Sequence, residues 1–156
     1  MQRQRKNGME KGNEIKEILS KYEGDNKVQE MKDFIQHGRV STYEHCSSVA
    51  KLSYEIDKRL SLHSDLNVLL VGAMLHDFYL YDWHKDDGTH PLHGFTHAKD
   101  ACKNAKVYFN VDDRTGRVIA NHMWPLNLLS VPKSREEWIV CVADKCVSLY
   151  ETLFRR

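Results

Sequence analysis

The segment Asp65-Leu66-Asn67-Val68-Leu69-Leu70-Val71-Gly72-Ala73-Met74-Leu75-His76-Asp77 decides how the rest of the chain is read. A helix that begins near Asp65 and runs through Leu66, Leu69, Leu70, Ala73 and Met74 has apolar neighbours on almost every side, so it is expected to be central and buried. Val68 to Leu75 is the longest apolar run of the sequence, far short of the roughly 20 residues of a membrane-spanning helix. The helix then ends in an ionisable pair, His76-Asp77. A lone carboxylate buried there costs several kcal/mol or protonates, so Asp77 needs a cation.

Working outward, Ile15, Ile18, Leu19 and Tyr22 recur at helical spacing, and Gly24-Asp25-Asn26 reads as a stop and a new N-cap. A second short helix is expected to carry Val28, Met31, Phe34 and Ile35 and to close at Gly38. Ser41 or Thr42 with Glu44 opens a longer helix whose face is His45, Val49, Leu52, Ile56 and Leu60. Tyr81 to Pro91 is rich in turn formers and charge and has no period, which predicts a loop of the kind that borders sites. Helical spacing resumes at His97, Ala101, Ala105 and Tyr108, then from Asp112 or Asp113 through Val118, Ile119 and His122 to Pro125. Ser134 and Arg135-Glu136-Glu137 open a last helix with Trp138, Cys141, Val142, Cys146, Leu149 and Leu153 on its apolar face. No comparable strand alternation occurs. The expected fold is all-α, a compact bundle of about seven helices: one domain over 12–156 behind a flexible tail over 1–11. In that tail Arg3, Arg5, Lys6 and Lys11 face only Glu10, and no apolar period is present.

Composition narrows the function classes. A chain of 156 residues suits one domain, and 41% hydrophobic with 29% charged residues excludes wholesale disorder. Lys plus Arg is 23 and Asp plus Glu 22, a net charge of +1, so there is no basic field to collect a nucleic-acid polymer. The basic start runs into Gly8, Glu10 and Lys11 rather than an apolar stretch, so no signal peptide is read, no membrane partner is expected and the expected location is cytoplasmic. Cys46, Cys102, Cys141 and Cys146 form no C-x-x-C pair and read as reduced core thiols. Histidine, by contrast, occurs 9 times, with His76, His84, His90, His93 and His97 close together.

Four predicted helices each turn a metal-competent side chain inward: His45 beside Val49 and Ile56, the His76-Asp77 pair, His122 beside Val118 and Ile119, and Asp144 among Val140, Cys141 and Val147. Singly, each has a plain reading. A lone histidine on an apolar stripe is more often a hydrogen-bonded core residue, His-Asp is a common dipeptide, and Asp144 can pair with Lys145. Jointly, with no matching surplus of buried Lys or Arg, they point to a divalent transition metal. Imidazole suits Fe, Mn, Ni, Zn or Co, calcium alone would not recruit histidines, and thiolate zinc is disfavoured by the cysteine spacing.

The order His45, His76-Asp77, Asp144, with the apolar lead-in Leu69 to Leu75 and the Ala143-Asp144 step, resembles the HD superfamily of metal-dependent phosphohydrolases over roughly residues 41–150. The stretch Leu75 to His84, with His122-Met123-Trp124-Pro125-Leu126, is similar to small stand-alone bacterial HD proteins. The resemblance implies that His45, His76, Asp77 and Asp144 hold one metal, and that His97 and His122 hold a second, bridged to the first by Asp77. His93, four residues before His97, is a third ligand, a support for a ligand or a substrate contact. The implied activity is hydrolysis of a small-molecule phosphomonoester or phosphodiester, with nucleotides among the candidates. Asp77 and Lys145 would be its catalytic residues, and Lys85 and Lys99 are further candidate cations. Phe78-Tyr79 follows the doublet where relatives acting on cyclic dinucleotides often carry Gly-Lys, which argues against that substrate. Tyr79, Tyr81, Trp83 and Trp124 form either a stacking wall or ordinary packing. His37, His63, His84 and His90 read as solvated. Two other readings of the same residues are a di-iron oxygen-activating enzyme and a non-catalytic metal- or nucleotide-binding sensor.

Overall fold

The computed structural model describes residues 2–82, 84 and 93–155, and side chains from residue 13 onward within them. In chain order these form α1 (Gln2–Glu23), α2 (Asn26–Gln29), a 3-10 turn (Glu30–Asp33), β1 (Ile35–His37), β2 (Val40–Ser41), α3 (Thr42–Leu60), α4 (Leu66–Leu75), α5 (His93–Phe109), α6 (Asp113–Asn121) and α7 (Arg135–Phe154). The fold is all-α apart from the small antiparallel pair β1–β2. Among the described residues no helix is long and apolar enough to cross a membrane.

Helix α4 is the central element: every residue from Val68 to Leu75 is buried, and α1, α3, α5, α6 and α7 all pack on it. Its start is fixed by Asp65, whose carboxylate accepts the amides of Asn67 (3.1 Å) and Val68 (3.3 Å), satisfying donors that have no partner inside the helix. Helix α3 opens with a full capping box. The Glu44 amide donates to Ser41 Oγ, and the Glu44 carboxylate accepts the Ser41 amide at 3.0 Å. Asp112 and Ser134 cap α6 and α7 with the side-chain half of this arrangement, accepting the Thr115 and Glu137 amides.

Three expectations need correction or extension. The backbone is helical from Gln2, so α1 begins well before its apolar period. The second helix stops at Gln29, continues as a 3-10 turn and gives way at extended Phe34 to the hairpin; Gly38 is not a helix terminator but a residue of the β1–β2 turn, at φ 58. The strands are three and two residues long, too short to register as an alternation. Cys46 and Cys141 are buried free thiols, whereas Cys146 is exposed.

Helices α4 and α6 touch at Gly72, where an added Cβ would lie 2.5 Å from Val118 Cγ1. Neither atom can yield cheaply, since Val118 is wholly buried. Gly72→Ala is therefore expected to destabilise the protein by about 1–3 kcal/mol through overpacking. Adding Val118→Ala should recover part of that loss in a denaturant titration, and additive effects of the two substitutions would contradict the contact.

Candidate metal centre

The two short helices α4 and α6 end in the same way. His76 and His122 are their C-cap residues, and each ring turns back on its own helix: His76 Nδ1 donates to the Ala73 carbonyl at 2.7 Å and His122 Nδ1 to the Ile119 carbonyl at 2.7 Å. Last-turn carbonyls lack an amide partner, so the rings satisfy them and are fixed in return. Near the start of α5, His97 Nδ1 donates to the His93 carbonyl at 2.8 Å. On α3, His45 Nδ1 lies 2.8 Å from Glu151 Oε2 of α7. A carbonyl can only accept, so His76, His97 and His122 carry their proton on Nδ1, and in the neutral ring Nε2 presents a lone pair.

All four Nε2 atoms point at two carboxylates. His45 Nε2 is 3.2 Å from Asp144 Oδ1 and 3.8 Å from Asp77 Oδ2, and His76 Nε2 is 3.3 Å from Asp77 Oδ2 and 3.7 Å from Asp144 Oδ1. On the other side of the same carboxylate, His97 Nε2 is 3.2 Å and His122 Nε2 3.5 Å from Asp77 Oδ1, and these two nitrogens are 3.2 Å apart. Asp77 thus divides the group into two sets of donors. His76 Nε2 and Asp77 Oδ1 are fully buried without an aligned hydrogen-bond partner. Buried polar atoms are rarely left so, and a divalent cation would satisfy both at once. His45, His76 and Asp77 form one group able to hold a metal, and Asp77, His97 and His122 another.

The electrostatics match this geometry. Burial disfavours a charged His45, but the hydrogen bonds to Asp144 and Glu151 outweigh it and raise its pKa from 6.5 to about 10. Burial opposes charge on His76 and His97 too, and the neighbouring carboxylates raise both. At His122 burial wins and the pKa falls. Asp77 is held well below the ordinary carboxylate range despite its burial, first by His76 and then by His122 and His97; Asp144 is held down by His45 and His76.

Other sequence candidates take different places. Lys145 lies at the cavity, its Nζ 2.7 Å from the His122 carbonyl and 3.4 Å from Asp144 Oδ2. His93 stacks on His97 (centroids 4.6 Å) and holds that ring through its carbonyl, while its own Nδ1 is 3.0 Å from the Tyr81 hydroxyl. Lys99 is exposed on α5. Lys85, Trp83 and His90 fall outside the described residues. Of the four named aromatics, the three that are described make packing or hydrogen-bond contacts with neighbouring side chains. Tyr79 is buried and donates to Gln36 Oε1 at 2.6 Å, Tyr81 turns to His93, and Trp124 packs edge-on against Trp138. His37 is not simply solvated: it is half-buried, lines the cavity and meets the His45 ring edge-on at 5.7 Å.

Sequence reasoning missed two residues. Gln36 of β1 donates from Nε2 to Asp77 Oδ2 at 2.6 Å. Glu151 orients His45, and its signal was present: Asp144, Ser148 and Glu151 stand at i, i+4 and i+7, one stripe of α7. The cavity beside these groups has a volume of about 860 Å³ and reaches Asp77, His97, His122, Asp144 and Lys145.

The domain is a helical one that gathers four buried imidazoles and two buried carboxylates into groups able to hold a metal, with Asp77, His97, His122 and Asp144 reaching a cavity. The family model described as HD domain matches residues 42–149, and the chain belongs to the HD domain family. That family is of the metal-dependent phosphohydrolase type, and its domains bind divalent metals. Searches of curated proteins and of solved structures returned no match.

Metal and protons compete for the same nitrogens. The raised His45 pKa gives the metal-free protein a stabilisation that is complete below pH 6.5 and lost as pH rises through about 10. The depressed Asp77 and Asp144 contribute above about pH 3.8 and lose that contribution as pH falls. Loading the stripped protein at neutral pH should therefore release protons, and the gap in Tm between loaded and stripped protein should widen between pH 6.5 and 9. A gap that narrows over this range in differential scanning calorimetry would refute the assigned protonation.

Proposed function

We propose that the protein is a dinuclear metal-dependent phosphohydrolase acting on a small-molecule phosphate ester. The observation that carries this reading is the division of donors about Asp77: His45 and His76, which also meet Asp144, stand toward one carboxylate oxygen, and His97 and His122 toward the other. One ion would be held by His45, His76, Asp77 and Asp144, and a second by Asp77, His97 and His122. Bound divalent ions supply a water acidic enough to attack phosphorus near neutral pH and charge to offset the phosphoryl oxygens.

The remaining work falls to the chain. The Nδ1 contacts to Glu151 and to the carbonyls of Ala73, His93 and Ile119 keep each Nε2 aimed, so the donors need no rearrangement when an ion arrives. Gln36 holds Asp77 from the β1 side. Lys145 places its ammonium at the cavity next to Asp144, where it can donate to a phosphoryl oxygen as negative charge grows there. The reaction forms a bond from the water oxygen to phosphorus and breaks the bond from phosphorus to the ester oxygen. Water gives up a proton and the departing alcohol gains one.

Metal analysis of protein purified without chelators is expected to give two ions per chain after loading. Asp77→Ala should lose both ions and all turnover. His97→Ala or His122→Ala should keep about one ion, with turnover down by several orders of magnitude. A wild type that never exceeds one ion, with turnover intact in both histidine variants, would make the site mononuclear. Dioxygen consumption without phosphate release would replace the hydrolase reading with the di-iron alternative.

A further inference from the structure

The cavity has two unlike sides. Its floor carries the carboxylates and imidazoles, whereas Phe95 from the first turn of α5 and Met123, Pro125 and Leu126 from the segment after α6 form an apolar wall. The two parts of the wall adjoin, since a Cβ at Gly94 would sit 3.7 Å from Leu126 Cδ2. Phe95 and Leu126 are 50% and 49% exposed although both are large and apolar, so their surface is available inside a concave site rather than spent on the core. A volume of about 860 Å³ lies in the range of sites that enclose a whole small organic molecule, much more than a phosphate group requires.

Of the described polar lining residues, Gln36 and Ser148 are already engaged, and His37 also lines the cavity. Gln36 is bound to Asp77, Tyr79 and Thr42, and Ser148 Oγ donates to Asp144 Oδ1 at 3.2 Å. Among the described lining residues Lys145 is the only Lys or Arg. Clusters of Arg and Lys are what recognise several phosphates at once, and free donors and acceptors are what distinguish a nucleobase.

Resting on the hydrolase reading, we propose that the substrate is a monophosphate ester of an apolar alcohol, whose organic group lies on the wall of Phe95, Met123, Pro125 and Leu126 while its one phosphate meets the His/Asp floor and Lys145. Recognition of the organic group then comes from buried area. Each methylene brought fully onto the wall should strengthen binding by about fourfold, and a polar group in its place should weaken it.

The test uses metal-loaded protein and two matched series. Non-hydrolysable n-alkylphosphonates from methyl to octyl are titrated by calorimetry, and the n-alkyl phosphates from ethyl to octyl, whose leaving alcohols barely differ in acidity, are assayed for phosphate release. Affinity and kcat/KM are expected to climb two- to fourfold per methylene until the wall is filled, and to exceed those for glycerol phosphate and ATP. Phe95→Ser and Leu126→Ser, at half-exposed positions, should flatten the chain-length slope, with Tm measured to confirm folding. A flat or falling slope in the wild type, or tighter binding of glycerol phosphate or ATP, overturns the proposal whatever the variants do. A rising phosphonate slope with no ester hydrolysed under Mn, Fe, Co, Ni, Zn or Mg would leave the apolar subsite standing and remove the hydrolase reading.

Discussion

The carboxylate of Asp77, 2% exposed, stands at the end of the most apolar helix of the chain. Keeping it ionised there is the constraint that the surrounding architecture answers. A charge of this kind left without partners costs several kcal/mol, and removing one partner of a buried set is as damaging, about 3–5 kcal/mol. Four imidazoles from four helical segments and one carboxamide from the hairpin converge on it or on neighbouring Asp144. No two of these groups are adjacent in sequence except His76 and Asp77, so the electrostatic requirement ties α3, α4, α5, α6, α7 and β1 together at a single point. The hydrophobic core supplies the stability of the bundle, and Asp77 sets the register in which its elements meet.

The precision of the site comes from helix ends and helix stripes rather than from loops. At the C-caps of α4 and α6 the same hydrogen bond completes a helix and aims a histidine. Helix α7 contributes Asp144, Ser148 and Glu151 along one face, so one rigid element fixes a carboxylate of the floor, its hydroxyl partner and the group that holds His45. Asn104 of α5 donates to the Phe78 and Tyr79 carbonyls at 3.0 and 3.2 Å, holding the chain immediately after the His-Asp doublet. Side chains placed in this way keep their orientation without a bound ion, which is the preorganisation that a metal site and electrostatic catalysis both require.

What was legible in the sequence follows from the same physics. His45, His76, Asp77, His122 and Asp144 could be read because helical periodicity marks which face of each helix turns inward, and an ionisable residue on an apolar face is conspicuous. Glu151 obeys the same periodicity but lies among exposed Tyr150 and Leu153 near the chain end, where its inward direction shows only when it is counted from Asp144. Gln36 and His37 were illegible for another reason. Phe34 and Ile35 continue a helical-looking run, and only the pairing of β1 with β2, a tertiary fact, turns Gln36 toward Asp77. The aromatics after the doublet left two readings open because composition cannot tell a ring that faces a ligand from one that supports a neighbour. Tyr79 spends its hydroxyl on Gln36, and Tyr81 on His93.

On the proposed reading, chemistry and selection would be carried by separate parts of the cavity. The floor belongs to a coupled network in which Asp77, His97, His122 and Asp144 share contacts with His45 and His76 beneath them, so substitutions there are strongly non-additive and any change propagates through a buried charge. The wall of Phe95, Met123, Pro125 and Leu126 is apolar, and Phe95 and Leu126 are half-exposed, so their substitution leaves no orphaned polar group and costs the fold little. If the centre is hydrolytic as proposed, it could in this way be offered different organic groups by changing two short segments, the first turn of α5 and the stretch after His122. The family match covers residues 42–149, wall and His/Asp group alike, and identifies the family type; under the proposal the organic part of the substrate is read from the wall, because the wall rather than the His/Asp group would contact it.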